Sequence, residues 1–359
     1  MKTISLSLLA AFLAMCGTGC GKNEETAPAK TNITNAAAED DLDAIVRRGV
    51  AAVAQKDATE AAAAAKAALE REPDSAEAHL LAGQAAYLEQ NYDQARKEFE
   101  TVAKTQSLPK SLRSKGYAGL GLIEFVQHEV ETARILFLQA QLFDYKNEST
   151  WYHLGLIYRD TYQFREAALE QFQMFTRLSR PDDPFVEKVG RELIPELRKA
   201  IQRLAAERPG ASGRDPGRAA KLYEEAQTLE AKKQIPLAKK KYADALAADP
   251  LSYPIALGYA RLLNSIDKKP ATEVDKALEA YRAAIDQRPS VQKNYMEAAR
   301  LAFSNKRWAT VVQILNRAIA HDPRPKNGES LDVLIGALRK AGKSKLEKSW
   351  RAYRTELGK

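Results

Sequence analysis

Residues 151–167 read WYHLGLIYRDTYQFREA, and this stretch decides the fold. Large apolar residues return three or four positions apart at Trp151, Leu154 and Tyr158, which is the spacing of one face of an α-helix. Gly155 lies on the same face and lets a second helix approach closely. Ala167 marks that second helix after a short polar interval. The stretch therefore predicts two packed helices joined by a turn.

The same residue types recur 34 positions apart. The matching pairs are Gly49/Gly83, Ala61/Ala95, Gly121/Gly155 and Ala133/Ala167. A period of this length is typical of a helix-turn-helix array, in which each unit leaves an apolar face that its neighbour must cover. We therefore predict an all-α solenoid with a long groove.

This pattern resembles that of the tetratricopeptide repeat (TPR) family, W-x2-L-G-x2-Y followed by A-x3-F and then P. Residues 151–158 match its first half without a mismatch. The second half recurs as Ala95/Phe99, Ala133/Phe137, Ala238/Tyr242 and Ala277/Tyr281, and prolines follow at Pro73, Pro250, Pro289 and Pro323. The resemblance implies about seven repeats and a C-terminal capping helix pair, with the repeats starting near Leu42, Ala76, Ser114, Glu148, Ala219, Leu251 and Gln292.

The repeat pattern lapses in the middle of the chain. Residues 185–207 keep helical spacing, but Pro195 lies inside them and predicts a kink or break near Ile194. Residues 208–217 are rich in glycine and proline and read as a linker. We therefore predict two sub-arrays, residues 42–207 with trailing helices and residues 218–359 with the capping helices.

Residues 1–20 read as a targeting segment. Lys2 precedes an apolar run, and small residues lead to Cys20. The segment resembles a bacterial lipoprotein signal, which implies that Cys20 becomes the lipid-modified N-terminus; an ordinary secretory signal is the alternative. Gly21 is not the aspartate that retains many such lipoproteins at the inner membrane, so the expected location is the outer membrane, facing the periplasm. Residues 21–41 read as a flexible tether.

Charge is divided unevenly. Residues 22–200 carry 23 basic and 29 acidic side chains, whereas residues 201–359 carry 31 basic and 18 acidic ones. Such a basic half indicates an anionic partner, which in a cell envelope is a protein, a cell-wall polymer or lipid headgroups rather than nucleic acid. The alternative is that these lysines and arginines only solvate exposed helix faces.

Catalytic and metal-binding motifs are not found in the sequence. The four histidines are scattered, and neither a metal-ligand spacing, nor a phosphate-binding loop, nor a nucleophile elbow is present. We therefore predict no cofactor, no metal site and no enzymatic activity.

Binding is the predicted activity, and the resemblance implies where it occurs. In TPR arrays the first helix of each pair lines the concave face through its second, fifth, ninth, twelfth and thirteenth positions. Transferred to this chain, the candidate groove residues are Tyr87, Phe125, Tyr152, Arg159, Tyr223, Tyr259, Arg300 and Phe303. These rings and arginines suit an extended or helical peptide with some acidic character. The alternative is that several of the rings only pack between adjacent first helices.

The leading hypothesis is therefore a membrane-anchored, periplasm-facing adaptor for a protein partner in envelope assembly, secretion or pilus biogenesis. A second hypothesis is a structural spacer that binds cell wall or anionic headgroups through the basic C-terminal half. A third is a subunit that supports an enzyme complex without catalysing a reaction.

Overall fold

The computed structural model describes residues 41–207, 212–325 and 328–358. This part of the chain is helical and contains no strand, which confirms the all-α prediction. None of its helices combines the length and the apolar character that crossing a membrane requires. The segments predicted as signal, with Cys20, and as tether lie outside the described residues, except for Asp41.

The helices alternate between first and second members of a pair. The first helices are α1 (Leu42–Gln55), α3 (Ala76–Leu88), α5 (Lys110–Val126), α7 (Glu148–Asp160), α11 (Pro216–Ala231), α13 (Tyr253–Ser265), α15 (Gln292–Ser304) and α17 (Glu329–Lys340). The second helices are α2 (Ala58–Arg71), α4 (Tyr92–Lys104), α6 (Val130–Phe143), α8 (Arg165–Leu178), α12 (Ile235–Ala248), α14 (Ala271–Gln287), α16 (Trp308–His321) and α18 (Ser344–Leu357). Two further helices, α9 (Pro184–Lys188) and α10 (Ile194–Ala206), lie between the fourth and fifth pairs.

A recurring turn joins the two helices of a pair. In the first pair the backbone N–H of Asp57 donates to the carbonyl of Ala52 at 2.9 Å, and Lys56 adopts a left-handed φ of 62°. In the second pair Asn91 donates to Ala86 at 2.8 Å. These bonds satisfy carbonyls at the end of the first helix, while Asp57 accepts from the N–H of Glu60 and caps the next helix. The turn fixes where each second helix begins.

The predicted repeat starts agree with the helix starts at Leu42, Ala76, Glu148 and Gln292. The third and fifth first helices begin earlier than predicted, at Lys110 and Pro216, because their leading residues extend the helix by a turn or less. The sixth begins later, at Tyr253 rather than Leu251, since Pro250 ends the preceding unit and residues up to Ser252 form the turn.

The segment around Pro195 is an interrupted helix. Val189–Leu193 form a π-helical turn between α9 and α10, and the N–H of Ile194 donates to the carbonyl of Val189, five residues back. Proline has no N–H and crowds the carbonyl four residues before it, so a widened turn accommodates it. The regular α-helix is thus interrupted immediately before Ile194.

The contacts divide the chain into two compact units. The first ends at Pro195 and leaves out Phe164–Ala167, which belong with Glu196–Lys359 in the second. Of the predicted linker, residues 208–211 lie outside the described part, residues 212–215 are exposed and non-helical, and α11 begins at Pro216.

The pairs of the first unit are packed around glycine and phenylalanine. A Cβ atom added to Gly83, Gly121 or Gly155 would lie 2.7 to 2.8 Å from the ring of Phe99, Phe137 or Phe172, respectively. The three rings are at most 2% exposed. Glycine is therefore required at these positions because the aromatic ring occupies the space of its side chain.

Two pairs of the second unit, α11 with α12 and α13 with α14, use tyrosine instead of phenylalanine. Tyr242 and Tyr281 take the place of the phenylalanines and are buried, but their hydroxyls reach acidic side chains. The hydroxyl of Tyr242 donates to Oε2 of Glu230 at 2.7 Å, and that of Tyr281 donates to Oε2 of Glu297 at 3.1 Å. The capping pair is confirmed as α17 and α18, with Trp350 and Tyr353 fully buried.

Candidate protein-binding surface

In the first unit, two of the predicted groove tyrosines are core residues. Tyr87 is 3% exposed and Tyr152 is 4% exposed. The ring of Tyr152 lies with its centroid 5.0 Å from that of Phe185 and 5.4 Å from that of Phe175. These contacts hold α7 against α8 and α9, so the ring of Tyr152 packs against these helices rather than between adjacent first helices.

The other two predicted residues of the first unit are partly accessible. Phe125 is half-buried, with its ring centroid 6.0 Å from that of His153 in an edge-to-face contact. The Arg159 guanidinium lies 5.9 Å from the ring centroid of Phe172, and its Nε and Nη2 donate to Asp160 at 2.6 and 2.8 Å. Phe125 and Arg159 are thus the predicted residues of this unit that present some surface.

Beneath Phe125, His153 is fully buried in the aromatic cluster. Its ring stacks on Phe137, and its Nδ1 lies 2.8 Å from the carbonyl oxygen of Ser149, one turn earlier. Burial lowers the pKa of His153 to about 4, against the smaller opposing effect of the hydrogen bond to Ser149. The imidazole is therefore neutral and serves the packing of α7.

In the second unit, the register of α13 corrects the assignment of Tyr259. Because α13 begins at Tyr253, Tyr259 is its seventh residue, equivalent to the fully buried Leu154 of α7 rather than to a groove position. Its ring stacks on that of Tyr242 with centroids 6.3 Å apart, and Tyr223 contacts Tyr242 from the other side at 5.7 Å. Tyr259 is buried, whereas Tyr223 is partly exposed.

The ninth position of α13 is Arg261, which sequence reasoning missed. Its Nε and Nη2 donate to the two carboxylate oxygens of Glu297 on α15, both at 2.9 Å. Burial alone would raise the pKa of Glu297, but the hydrogen bond from Arg261 holds it below its usual range. The proline at residue 250 is the sequence signal that sets the correct register.

Arg300 is the ninth residue of α15 and repeats the arrangement one pair later. It is exposed, and its Nη2 donates to Oε1 of Glu329 on α17. Arg261 and Arg300 therefore form a row on successive first helices, each bonded to a carboxylate of the next first helix. We call this the arginine row.

Phe303 lies on the same helix face as Arg300. Its ring is half-buried and meets Trp308 edge to face with centroids 5.0 Å apart. A Cβ at Gly336 of α17 would lie 3.4 Å from the Phe303 ring, so glycine there leaves the ring uncovered on that side. The surface therefore joins cationic groups to an accessible aromatic ring.

The described residues hold no group of three or more His, Cys, Asp or Glu side chains arranged to bind a metal. The predicted lipidation site, Cys20, lies outside the described residues.

A comparison with protein-family models finds a repeat family in two stretches of the chain. A family model described as tetratricopeptide repeat matches residues 46–111 and 271–327. No curated protein matches the chain at a significant level.

Three of the solved structures that match the chain are described by their identity, coverage and TM-score. The TPR2AB domain of yeast Sti1, in a complex with pHSP90, is 18% identical, with 74% of this chain and 98% of that chain covered and a TM-score of 0.29. Yeast Tom70 is 13% identical, with 94% and 70% covered and a TM-score of 0.33. The C-terminal part of a TPR protein from Cytophaga hutchinsonii is 17% identical, with 80% and 99% covered and a TM-score of 0.27.

The assignment rests on the sequence period, the matched family model and the repeated turn between paired helices. Both stretches matched by the model contain such pairs, one in each unit. The chain therefore contains tetratricopeptide repeats in each of the two units.

Proposed function

We propose that this protein is a non-enzymatic scaffold, held at a bacterial membrane through lipid on Cys20, that binds a protein partner through its first helices. The TPR fold is that of a protein-interaction scaffold, which supports the general part of the proposal. The proposal has three more specific parts: the lipid anchor, the periplasmic location, and a role in envelope assembly, secretion or pilus biogenesis.

The arginine row with Phe303 is the observation that carries the proposal. Arg300 and Phe303 combine an exposed guanidinium with an accessible ring, and arginine and aromatic residues are enriched at protein interfaces. Arg261 and Arg300 are already oriented by Glu297 and Glu329, so a partner would not have to order them. In the first unit, Phe125 and Arg159 offer the same combination.

A pair of double variants tests the surface. Arg300→Glu with Phe303→Ala removes a cation and a ring from the first-helix surface. Arg282→Glu with Leu237→Ala makes the same kind of change on exposed positions of the second helices α14 and α12, and serves as the control. Affinity purification of the full chain from membranes, with mass spectrometry, should lose its stoichiometric partner at least about tenfold in the first variant only. Equal recovery with both variants would exclude the first-helix surface as the binding site.

The anchor has a separate test. With Cys20→Ala, we expect the protein to leave the membrane fraction after a salt wash, because the lipid chain supplies the hydrophobic attachment. Retention in the membrane fraction would contradict lipidation at Cys20 and would favour another means of attachment.

The spacer is the second candidate function, favoured by charge. Residues 301–359 carry 13 basic and five acidic side chains. If the spacer is correct, anionic vesicles or cell-wall polymer should bind the full chain, and replacing Lys343, Lys345 and Lys348 with glutamine should release them. Loss of a protein partner on changing Arg300 and Phe303 would instead support the adaptor.

A subunit that supports an enzyme complex is a variant of the adaptor. It predicts that the stoichiometric partner identified by purification is itself an enzyme. The adaptor and the enzyme-complex subunit would use the same binding surface, so only the identity of the partner distinguishes them.

A further inference from the structure

The hydrogen bonds that begin each second helix give a common register. In five of the earlier pairs, the N–H of the residue four positions after the N-cap of the second helix donates to the N-cap carbonyl, as Ala95 does to Asn91 and Val311 to Arg307. In these five pairs, the residues four, eight and eleven after the N-cap are apolar and buried. They are Ala61, Ala65 and Ala68; Ala95, Phe99 and Val102; Ala133, Phe137 and Ala140; Ala238, Tyr242 and Ala245; and Val311, Leu315 and Ala318.

Helix α18 departs from this pattern. Its N-cap is Lys343, which accepts from the N–H of Glu347, so the three equivalent positions are Glu347, Arg351 and Arg354. These side chains are 15%, 50% and 32% exposed. Within the described part of the chain no later helix packs on this face. A face that is apolar in those five pairs is thus charged and accessible here.

The charged face forms a network with α17. Arg339 Nε and Arg351 Nη2 both donate to the same oxygen of Glu347, at 2.9 and 2.8 Å. Arg354 donates to both oxygens of Asp332, at 3.1 and 3.4 Å. Three guanidinium groups therefore share two carboxylates, which leaves one excess positive charge. Both terminal nitrogens of Arg339, and Nη1 of Arg351 and Arg354, have no hydrogen-bond partner among the described residues.

The three arginines surround a cleft of about 440 Å³ between α17 and α18. Ile335 and Gly336 also line it, together with Asp332 and Thr355, and the ring of Phe303 lies beside Gly336. The volume lies in the range of protein sites that bind small molecules. Unused guanidinium donors beside the side chain of Ile335 fit a chain that carries carboxylates and apolar side chains together.

We propose that this cleft docks an acidic segment of a protein partner, whose carboxylates bind Arg339, Arg351 and Arg354. The proposal rests on the scaffold function above and names the chemistry of its partner. Charge complementarity selects the occupant, because the region from residue 301 has 13 basic and five acidic side chains. A protein segment fits better than a membrane surface, since the arginines line a cleft while Lys343 and Lys348 lie outside it.

A binding experiment on the full chain tests the proposal. The probe is a short fluorescein-labelled peptide that alternates glutamate and leucine, followed by fluorescence anisotropy, and the same peptide with glutamine is the neutral control. Arg339→Gln with Arg351→Gln removes two charges from the cleft. Lys343→Gln with Lys348→Gln removes two charges from the same end of the protein outside it.

The cleft variant should weaken binding about tenfold and the lysine variant less than about twofold, because only the cleft arginines contact the carboxylates. Arg351→Lys keeps the charge but loses the planar guanidinium that can form two parallel hydrogen bonds. Its affinity for the acidic peptide should lie between those of the wild type and the cleft variant. Unchanged helix content and melting temperature establish that each variant is folded.

Several outcomes would overturn the proposal. Equal weakening by the cleft and lysine variants would indicate attraction by net charge alone, and equal binding of the glutamine peptide would exclude carboxylate recognition. Failure to bind the acidic peptide, together with lysine-dependent binding of anionic vesicles, would assign the charge to a membrane surface. If the cleft variant keeps the cellular partner that Arg300→Glu with Phe303→Ala loses, this inference fails and the proposed function stands.

Discussion

The two units build the same helix pair with different side chains. In the first unit, Gly121 faces Phe137 and no polar group takes part in the contact. In the second, tyrosines such as Tyr281 fill the equivalent space and extend a hydroxyl to a carboxylate at the surface. The Gly121–Phe137 contact is therefore held by shape complementarity, whereas Tyr281 links the interior of the second unit to its charged surface. Tyr281, Glu297 and Arg261 form such a link, from the core to the arginine row.

Removing a ring from the first unit should have the largest effect. Phe137→Ala leaves a cavity against Gly121, because glycine has no side chain to move into it, and should lower the free energy of unfolding by about 3–5 kcal/mol. Phe137→Leu should cost less, since Leu315 occupies the same position in α16. Urea unfolding followed by circular dichroism measures both. Similar losses for the two variants would show that the aromatic ring itself is required.

Acid should weaken the first unit through His153. Its pKa is about 4 in the folded protein and about 6.5 when exposed, so the unfolded chain takes up a proton that the folded unit excludes. Stability should fall by about 3 kcal/mol as pH drops through this window. His153→Phe should flatten that dependence in urea titrations at several pH values. The same slope in both proteins would assign the loss to other groups.

The hydroxyl of Tyr281 in the second unit should contribute more to stability than the hydroxyl of Tyr87 in the first. Tyr281→Phe breaks the bond to Glu297 and should cost about 1 kcal/mol. Tyr87→Phe is the matched control, because the buried Tyr87 hydroxyl has no partner among the described residues, and its removal should be neutral or stabilising. Thermal unfolding of the two variants gives the comparison. A loss at Tyr87 equal to that at Tyr281 would contradict the contrast between the units.

The smallest effect is expected where polar groups tie the beginning of α11 to the end of α12. Arg214 donates to both oxygens of Asp249, at 2.6 and 2.9 Å, and holds the pKa of Asp249 below its ordinary value. A lowered carboxyl pKa stabilises the fold above the ordinary value of 3.8 and loses this effect as pH falls through the folded value. Arg214→Gln should therefore lower the melting temperature at neutral pH and leave it unchanged in strong acid. A deficit that persists in acid would point to lost packing instead.

Most of the fold was predictable because it is periodic. Gly121, Phe137 and their equivalents must recur at fixed spacing for each pair to pack on the next. The repeat can therefore be recognised from the sequence alone. The candidate surface was less predictable. A shift of two residues in the start of α13 exchanged Tyr259 for Arg261, because neighbouring positions on a helix face different directions.

The cleft between α17 and α18 could not be predicted from the sequence pattern. Arg351 and Arg354 read as ordinary solvated charges until the hydrogen-bond register placed them where five earlier pairs carry apolar residues. Asp332 bonds to Arg354, and Arg339 shares Glu347 with Arg351. Both lie on α17, and no local spacing joins them to α18.

By itself the sequence determined the helical period, the pairing of small residues with aromatic ones, the capping helices and the uneven charge, because each is written in residue type and spacing. Only the tertiary structure decided which rings are buried and which arginines remain accessible. These depend on the packing of one helix against another, where a displacement of one or two residues moves a side chain from the core to the surface.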